Sequence, residues 1–398
     1  MNYVFKNIIS ILPGRLITEL KRQFKSPLLN IYGTNFRQNV LISYIRRPFK
    51  NGPDLSHTNS IEVLEIAKTF KELEFNVDVV NYDYEGFLDY AKYDLIFGFG
   101  EPLNNCFDKK RNDTKTIYYG TGMHICTQNH NSLKRIEDVF SKKGVWLIRS
   151  GRIVEKTWSI QTSLVDTIIT LGNEEVVESY KKFFMGKIYN IPASYYEIIN
   201  TESIKKILNE KNYEEAKSHF VWIGSSGLVH KGLDLLLDYF SVNVELHLHI
   251  LGPVDNEPDF KKTYSKELYN SPNIHTYGFI DLKSQTFSDL MQKSLYVIYP
   301  SCAEGGGAAV INCMANGLLP VVTKESSVSI KDYGFLIEEF TIESIDKTVK
   351  TARTTKAELL KENSIKCMLD IRDNHSIGQF SAKLKQSIKK ALDINSEL

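Results

Sequence analysis

The chain has 398 residues, 42% of them hydrophobic and 24% charged, with a formal net charge of +1. That length accommodates two domains, each with its own core. Balanced charge gives no electrostatic case for nucleic acid or another polyanion as partner, and the composition is that of a soluble globular protein.

The five cysteines, Cys106, Cys126, Cys302, Cys313 and Cys367, are odd in number and scattered. No Cys-x-x-Cys pair and no His/Cys cluster has the spacing of a zinc site, so reduced thiols in a cytoplasmic protein are expected and metal is not. No apolar run approaches the roughly 20 residues that span a bilayer. A small-residue cleavage pattern is also missing, so no signal peptide is expected.

Taken in chain order, residues 1–35 form a leader. Phe5, Ile8, Ile9, Ile11, Leu12, Leu16, Ile17, Leu20 and Phe24 alternate there with Lys6, Arg15, Lys21, Arg22 and Lys25. From Arg15 to Phe24 the spacing is helical with a basic polar face. Two readings stay open: residues 3–25 lie on an anionic membrane surface, or the helix packs on the protein's own body.

Short apolar runs then alternate with helical patterns. Strands are expected at 40–44, 77–80, 95–98, 116–120, 166–171 and 188–191, and Asn59 with Glu62 has the capping-box spacing of a helix reaching about Leu73. A polar stretch from Pro192 to about Glu210 lacks strong periodicity and reads as a hinge. Further strands follow at 220–224, 245–251, 274–277, 295–300, 321–322 and 334–337, and a last helix spans Ile377 to Leu392. Such alternation implies an α/β fold with mostly parallel, doubly wound sheets.

Two loops carry the chemistry. In the first, Gly224-Ser225-Ser226-Gly227 leads to Lys231-Gly232 at a helix start. A cation at that end of a helix is electrostatically unfavourable unless an anion binds there, the alternative being a solvated surface lysine. The second loop places Glu304 before Gly305, Gly306 and Gly307, with a short helix, Gly317 and Pro320-Val321-Val322 behind them. Glycines let backbone approach a ligand closely, and a carboxylate accepts hydrogen bonds from hydroxyls. Together they suit a sugar joined to a phosphate, or simply a tight structural turn with an exposed Glu.

Glu304, the glycine loop, Met314-Ala315, Gly317 and Pro320-Val321-Val322 resemble the donor-site signature of GT-B glycosyltransferases of family 4, the glycosyl transferases group 1. The loop ending in Lys231-Gly232 resembles that family's second signature. The resemblance implies a GT-B architecture, two Rossmann-like doubly wound domains facing a central cleft. Their expected extents are 36–195 on the acceptor side and 205–375 on the donor side, with 376–398 a helix that crosses back in proteins of this fold.

For the site, the resemblance implies Lys231 on the donor diphosphate, Glu304 on donor sugar hydroxyls, and backbone of Gly224, Ser225, Gly305, Gly306 and Gly307 around them. Phe279 and Ile280 would line the base. Asn312 stands where the family has a ribose-binding Glu; an amide can still pair with hydroxyls, or the side chain faces the helix exterior. The family's Arg near Ser225 and Ser226 has no counterpart unless Arg149 or Arg152 reaches in. On the acceptor side, Gly122, His124 and His57 are candidates, with His124 able to steady the transition state and a structural role the alternative.

The implied reaction is retaining transfer of a sugar from a nucleotide-diphosphate donor to a glycan or lipid-linked acceptor, as in surface-polysaccharide assembly at the inner membrane face. It involves no metal and no cofactor beyond the nucleotide-sugar. A nucleotide-sugar epimerase or sugar phosphorylase shares the fold. The missing Arg and Asn312 also admit a degenerate, non-catalytic partner subunit.

Overall fold

The computed structural model describes residues 26–54 and 57–394, so the leader segment 3–25 lies outside the described residues. Six strands, β1 (Gln38–Tyr44), β2 (Phe75–Asn81), β3 (Leu95–Gly98), β4 (Lys115–Gly120), β5 (Thr167–Leu171) and β6 (Lys187–Ile191), form one sheet in the order β2-β1-β3-β4-β5-β6. Six more, β7 (His219–Ile223), β8 (His247–Leu251), β9 (Ile274–Gly278), β10 (Tyr296–Tyr299), β11 (Leu319–Thr323) and β12 (Phe335–Ile337), form a second in the order β12-β11-β10-β7-β8-β9. Both sheets are parallel, each with its strand order reversing beside the first strand, so this is the doubly wound pattern the sequence implies. The apolar runs become strands because helices cover both faces: every residue of β3, β10 and β11 is buried.

The helices that matter below are α1 (Asn59–Glu72), α2 (Ile125–Lys143), α3 (Glu174–Lys181), α4 (Thr201–Glu210), α5 (Leu233–Phe240), α6 (Ala308–Met314), α7 (Ile342–Thr354), α8 (Ala357–Asn374) and α9 (Ile377–Ala391). Helix α1 starts at Asn59 as expected, and its Glu62 turns inward to lie 3.5 Å from the Tyr44 hydroxyl. Helix α4 occupies the stretch that reads as a hinge. Its two inward residues, Ile204 and Leu208, pack on Met368 of α8, and Asn200 caps it by accepting from Ser203 N at 2.9 Å. Ile204, Ile207 and Leu208 have the i, i+3, i+4 spacing of one helical face, a signal only one turn long in a polar stretch, and the cap at Asn200 is the second cue. Helix α9 packs against β6, which brings the C-terminal helix to a strand of the first sheet.

The chain forms two compact units. One draws its described residues from Met1–Pro53, Asn59–Tyr119 and Ile160–Thr167, the other from Asp54–Thr58, Gly120–Ser159 and Ile168–Leu398. In the first, Val40, Ile42, Val77, Val79 and Phe97 are fully buried beneath Val63, Ile66 and Phe70 of α1 or beside them in the core. In the second, Phe220, Trp222, Leu248 and Ile250 are buried with Leu236, Leu237 and Phe240 of α5 in one continuous core.

One face of β7, β8 and β9 carries histidines where apolar residues would be usual. The register sets His219 beside His247 and His249 beside His275. Tyr277 Oη lies 2.9 Å from His249 Nδ1, and His249 Nε2 lies 3.0 Å from His219 Nδ1. The tyrosine hydroxyl can only donate to an unprotonated Nδ1, so a neutral His249 with its proton on Nε2 satisfies both contacts. Burial pushes His219 down to about 4 and His249 lower still, with neighbouring His and Lys293 charges adding to the effect. These residues therefore stay neutral in the fold at pH values where the unfolded chain takes up protons. Stability is lost as pH falls from about 6.5 toward about 4, at about 1.4 kcal/mol per pH unit for each such group. Thermal unfolding at pH 7 and pH 5 should show this loss, and His249→Gln should flatten the dependence; equal midpoints at the two pH values would contradict it.

Candidate functional site

The second unit builds a charge cluster from two strand-end loops. The loop 224–232 leaves β7 and enters α5, while the loop 300–307 leaves β10 and enters α6. They meet at Gly232, which has φ +69°, and a Cβ there would sit 2.3 Å from Pro300 O. Only glycine permits so close an approach. The neighbouring residue Lys231 is thereby carried, buried, to the carboxylate of Glu304, with Nζ 2.5 Å from Oε1.

The contacts of Glu304 are unequal at its two oxygens. Oε1 accepts from Lys231 Nζ, from Tyr299 Oη at 2.9 Å and from Ser301 Oγ at 3.0 Å. Lys231 also donates to Tyr299 Oη at 2.7 Å, so the phenol relays between cation and carboxylate. Oε2 instead faces Arg152, whose Nη1 is 3.5 Å away. Of the two candidate bases, Arg152 is the one beside Glu304; the side chains of both Arg152 and Arg149 are exposed. Burial alone would raise the Glu304 pKa, but the Lys231 and Arg152 charges outweigh it and hold the carboxyl well below its usual range. Burial lowers the pKa of Lys231, and Glu304 opposes that shift.

His230 pins these loops from behind. It is fully buried, with Nε2 2.6 Å from Ala303 O and Nδ1 2.7 Å from Ser132 Oγ on α2. A carbonyl accepts only from N–H, so the proton is on Nε2 and the Ser132 hydroxyl donates to Nδ1. Burial pushes its pKa down to about 3, so the ring is neutral. Helix α2 adds Asn131 Nδ2, which donates to Cys302 O at 2.7 Å, and Arg135, whose Nη2 bonds Asp234 Oδ2 of α5 at 2.6 Å. On the other flank, the Glu257 carboxylate accepts from the backbone of Gly227 and of Leu228, at 2.5 and 3.2 Å. His230, Tyr299, Ser301 and Glu257 were not predicted as site residues. For Tyr299 and Ser301 the signal was present, since both flank Pro300 immediately before the glycine loop.

Residues 204–365 match the family model described as glycosyl transferases group 1, a span that includes both Lys231 and Glu304. The match is confined to that span, and the architecture of the chain is the GT-B fold. Similar solved structures include sucrose-phosphate synthase from Thermosynechococcus elongatus, at 12% identity and TM-score 0.60 over 90% of this chain and 100% of that one. A glycosyltransferase from Rickettsia africae ESF-5 shows 14% identity and TM-score 0.57 over 90% and 100%. HepE from Anabaena, in complex with UDP-glucose, shows 13% identity and TM-score 0.57 over 89% and 99%. At these identities the likeness concerns the fold. No curated protein sequence matches the chain.

The remaining predicted residues of this GT-B chain fall into distinct settings. Gly305 packs its backbone on Thr121 and Gly122, where a Cβ would lie 2.1 Å from Thr121 O, and Gly306 and Gly307 lead directly into α6. Gly224 is half-buried and Ser225 exposed at the mouth of the loop after β7. Phe279 is 61% exposed, while Ile280 packs partly on the core. Asn312 is buried: its Oδ1 accepts from Tyr196 N at 2.9 Å and its Nδ2 donates to Ala308 O at 2.7 Å. It faces inward and not the helix exterior.

His124 is also buried, at the N-cap of α2. Its Nδ1 accepts from Cys126 N at 3.2 Å, and its ring stacks on Phe183 at 4.0 Å. Burial pushes it down to about 4, so it is neutral. Gly122 O accepts from Tyr180 Oη at 3.1 Å, and exposed His57 offers its carbonyl to Tyr196 Oη at 3.0 Å. Among the described residues, no group of three or more His, Cys, Asp or Glu side chains is arranged to hold a metal ion, and no helix is long and apolar enough to cross a membrane.

The Arg135–Asp234 pair, with both side chains 3% exposed, sets α2 against α5 behind the loops. Arg135→Met leaves Asp234 as a buried charge without its main partner and should cost about 3–5 kcal/mol. Adding Asp234→Leu should recover most of that. Urea unfolding of the two variants checks both; equal destabilisation of the single and double variants would contradict the pairing.

Proposed function

We propose that this chain is a retaining glycosyltransferase that moves a sugar from a nucleotide-diphosphate donor to a glycan or lipid-linked acceptor, working on the cytoplasmic side in surface-polysaccharide assembly. The observation that carries this reading is the imbalance of the charge cluster. Two cations, Lys231 and Arg152, face the single carboxylate of Glu304, while His230 is neutral. The surplus positive charge is what a diphosphate requires: Lys231 is preorganised by burial and by Tyr299, while Arg152 lies over Gly227 with its side chain 40% exposed. UDP-glucose bound to HepE, a protein of the same fold, supports a nucleotide-sugar as the ligand class.

In the proposed reaction the bond between the sugar's anomeric carbon and the diphosphate oxygen breaks, and the acceptor oxygen forms the new bond on the same face. The acceptor's proton passes to the departing phosphate oxygen, so no protein carboxylate need act as base. Lys231 and Arg152 neutralise the charge that grows on the diphosphate. Glu304, with Oε1 already holding three donors, meets the sugar hydroxyls through Oε2. Gly224, Ser225 and the backbone of Gly305, Gly306 and Gly307 line the donor, with Phe279 and Ile280 toward the base.

Asn312 has its oxygen and one amide hydrogen engaged inside the chain, so the second hydrogen is its contribution to a ribose hydroxyl. Gly122, His57 and His124 lie toward the acceptor in this proposal, His124 through its placement of the start of α2. The positive charge is supplied by side chains, and the transfer is proposed to need no metal.

The test is a screen of nucleotide-sugars by thermal shift, followed by transfer assays with the hits. Lys231→Ala, Glu304→Ala and Arg152→Ala should each lower turnover by about 100-fold or more, with EDTA leaving the wild-type rate unchanged. Arg152→Ala should also weaken binding of the nucleoside diphosphate alone. Full turnover in any variant removes that residue from the site, and loss of activity in EDTA places a metal in it. An epimer formed without acceptor, or dependence on phosphate, would replace transfer by epimerase or phosphorylase chemistry. Binding without turnover across the acceptor panel would make the chain a non-catalytic partner.

A further inference from the structure

Helix α2 ends at Gly144, whose φ of +71° turns the chain back on the helix, and its N–H bonds Phe140 O at 2.8 Å. The next four residues are Val145, Trp146, Leu147 and Ile148. Leu147 is buried in the core of the second unit, while Val145, Trp146 and Ile148 are 40%, 52% and 47% exposed. Trp146 stacks on Phe140 with ring centroids 4.4 Å apart. One buried anchor and one ring stack thus hold four large apolar side chains outward as a fixed surface. Folding normally hides such residues, and a clustered, rigid display of them marks a contact surface.

The charges around this surface name its partner. Lys142 and Arg149 bracket the apolar run in sequence and are exposed, as is Lys134 one helical turn or more before Phe140. Lys143 is occupied by Asp238 and Glu267, and Asp138 by Arg135, which leaves Glu137 as the exposed acid of this stretch. An apolar patch with a tryptophan, edged by lysine and arginine, matches the boundary between acyl chains and anionic headgroups. We propose that Phe140, Val145, Trp146 and Ile148 dock on an anionic bilayer surface, with Lys142 and Arg149 against the lipid phosphates. This docking face uses none of residues 3–25 and does not depend on the transfer reaction.

Co-sedimentation of the full chain with vesicles tests it. Wild-type protein should sediment with phosphatidylglycerol-rich vesicles and much less with pure phosphatidylcholine. Trp146→Ser combined with Ile148→Ser should lower the partition by about tenfold or more, and so should Lys142→Glu combined with Arg149→Glu. The charge pair lies outside the core and keeps the test valid should the serine variant lose its thermal midpoint. The same variants in a chain lacking residues 1–25 should show the same relative losses. Failure of the wild type to bind would overturn the proposal, as would sedimentation of both variants like wild type. So would binding that disappears entirely with residues 1–25. A dimer in gel filtration that both variants convert to monomer, without vesicle binding, would assign the surface to a second copy of the chain instead.

Discussion

Taking the Glu304 carboxylate out of water is the constraint around which the second unit's loops are arranged. An ion in that position is costly unless a cation and hydrogen-bond donors meet it. Lys231 meets one oxygen together with Tyr299 and Ser301, and Arg152 stands off the other at 3.5 Å. Each partner needs backbone in a particular place. Lys231 needs Gly232 pressed on Pro300, Ser301 and Tyr299 come from the end of β10, and Arg152 adopts φ +49° at the end of a short turn and lies over Gly227. The loops are therefore shaped less by their own preferences than by the need to compensate one buried charge.

The neutral groups around the cluster matter because they add no charge of their own. A protonated His230 would bring a third cation to Glu304 and lose its acceptor for Ser132. Burial keeps it neutral, and it can then bond Ala303 O on one side and Ser132 on the other. Helix α2 is tied to the two loops through Asn131 and Ser132, and to α5 through Arg135. The helix that fixes the cluster also ends in the apolar surface around Trp146. A rigid element thus joins the charge site to the proposed contact surface.

Much of the fold was legible as sequence. The twelve strand positions fall within a few residues of the apolar runs that predicted them, because strands covered on both faces must be apolar throughout. Helix α4 was the least legible, since its apolar face is a single turn, Ile204, Ile207 and Leu208, in an otherwise polar stretch. The histidines of β7, β8 and β9 were legible as strand but not as a bonded array, because their partners lie on neighbouring strands 28–30 residues away.

For the candidate site, Lys231, Glu304 and the glycines were singled out in the sequence by their spacing along two loops, and the structure brings Lys231 and Glu304 together. Arg152 was only one of two candidate bases until the backbone around it was known. The same holds for Asn312 and His124, whose side-chain chemistry is evident from the sequence but whose partners, Tyr196 N and Cys126 N, are set by burial. The sequence by itself determined which residues have the chemistry for a sugar-phosphate site and which runs must be buried strands, because residue type and local spacing suffice for both. Only the tertiary structure decided that Lys231 and Arg152 converge on Glu304, that one of its oxygens is saturated and the other faces a cation, and that Asn312 turns inward. Those outcomes depend on contacts between segments far apart in the chain, and on the cost of leaving a buried charge or amide without partners.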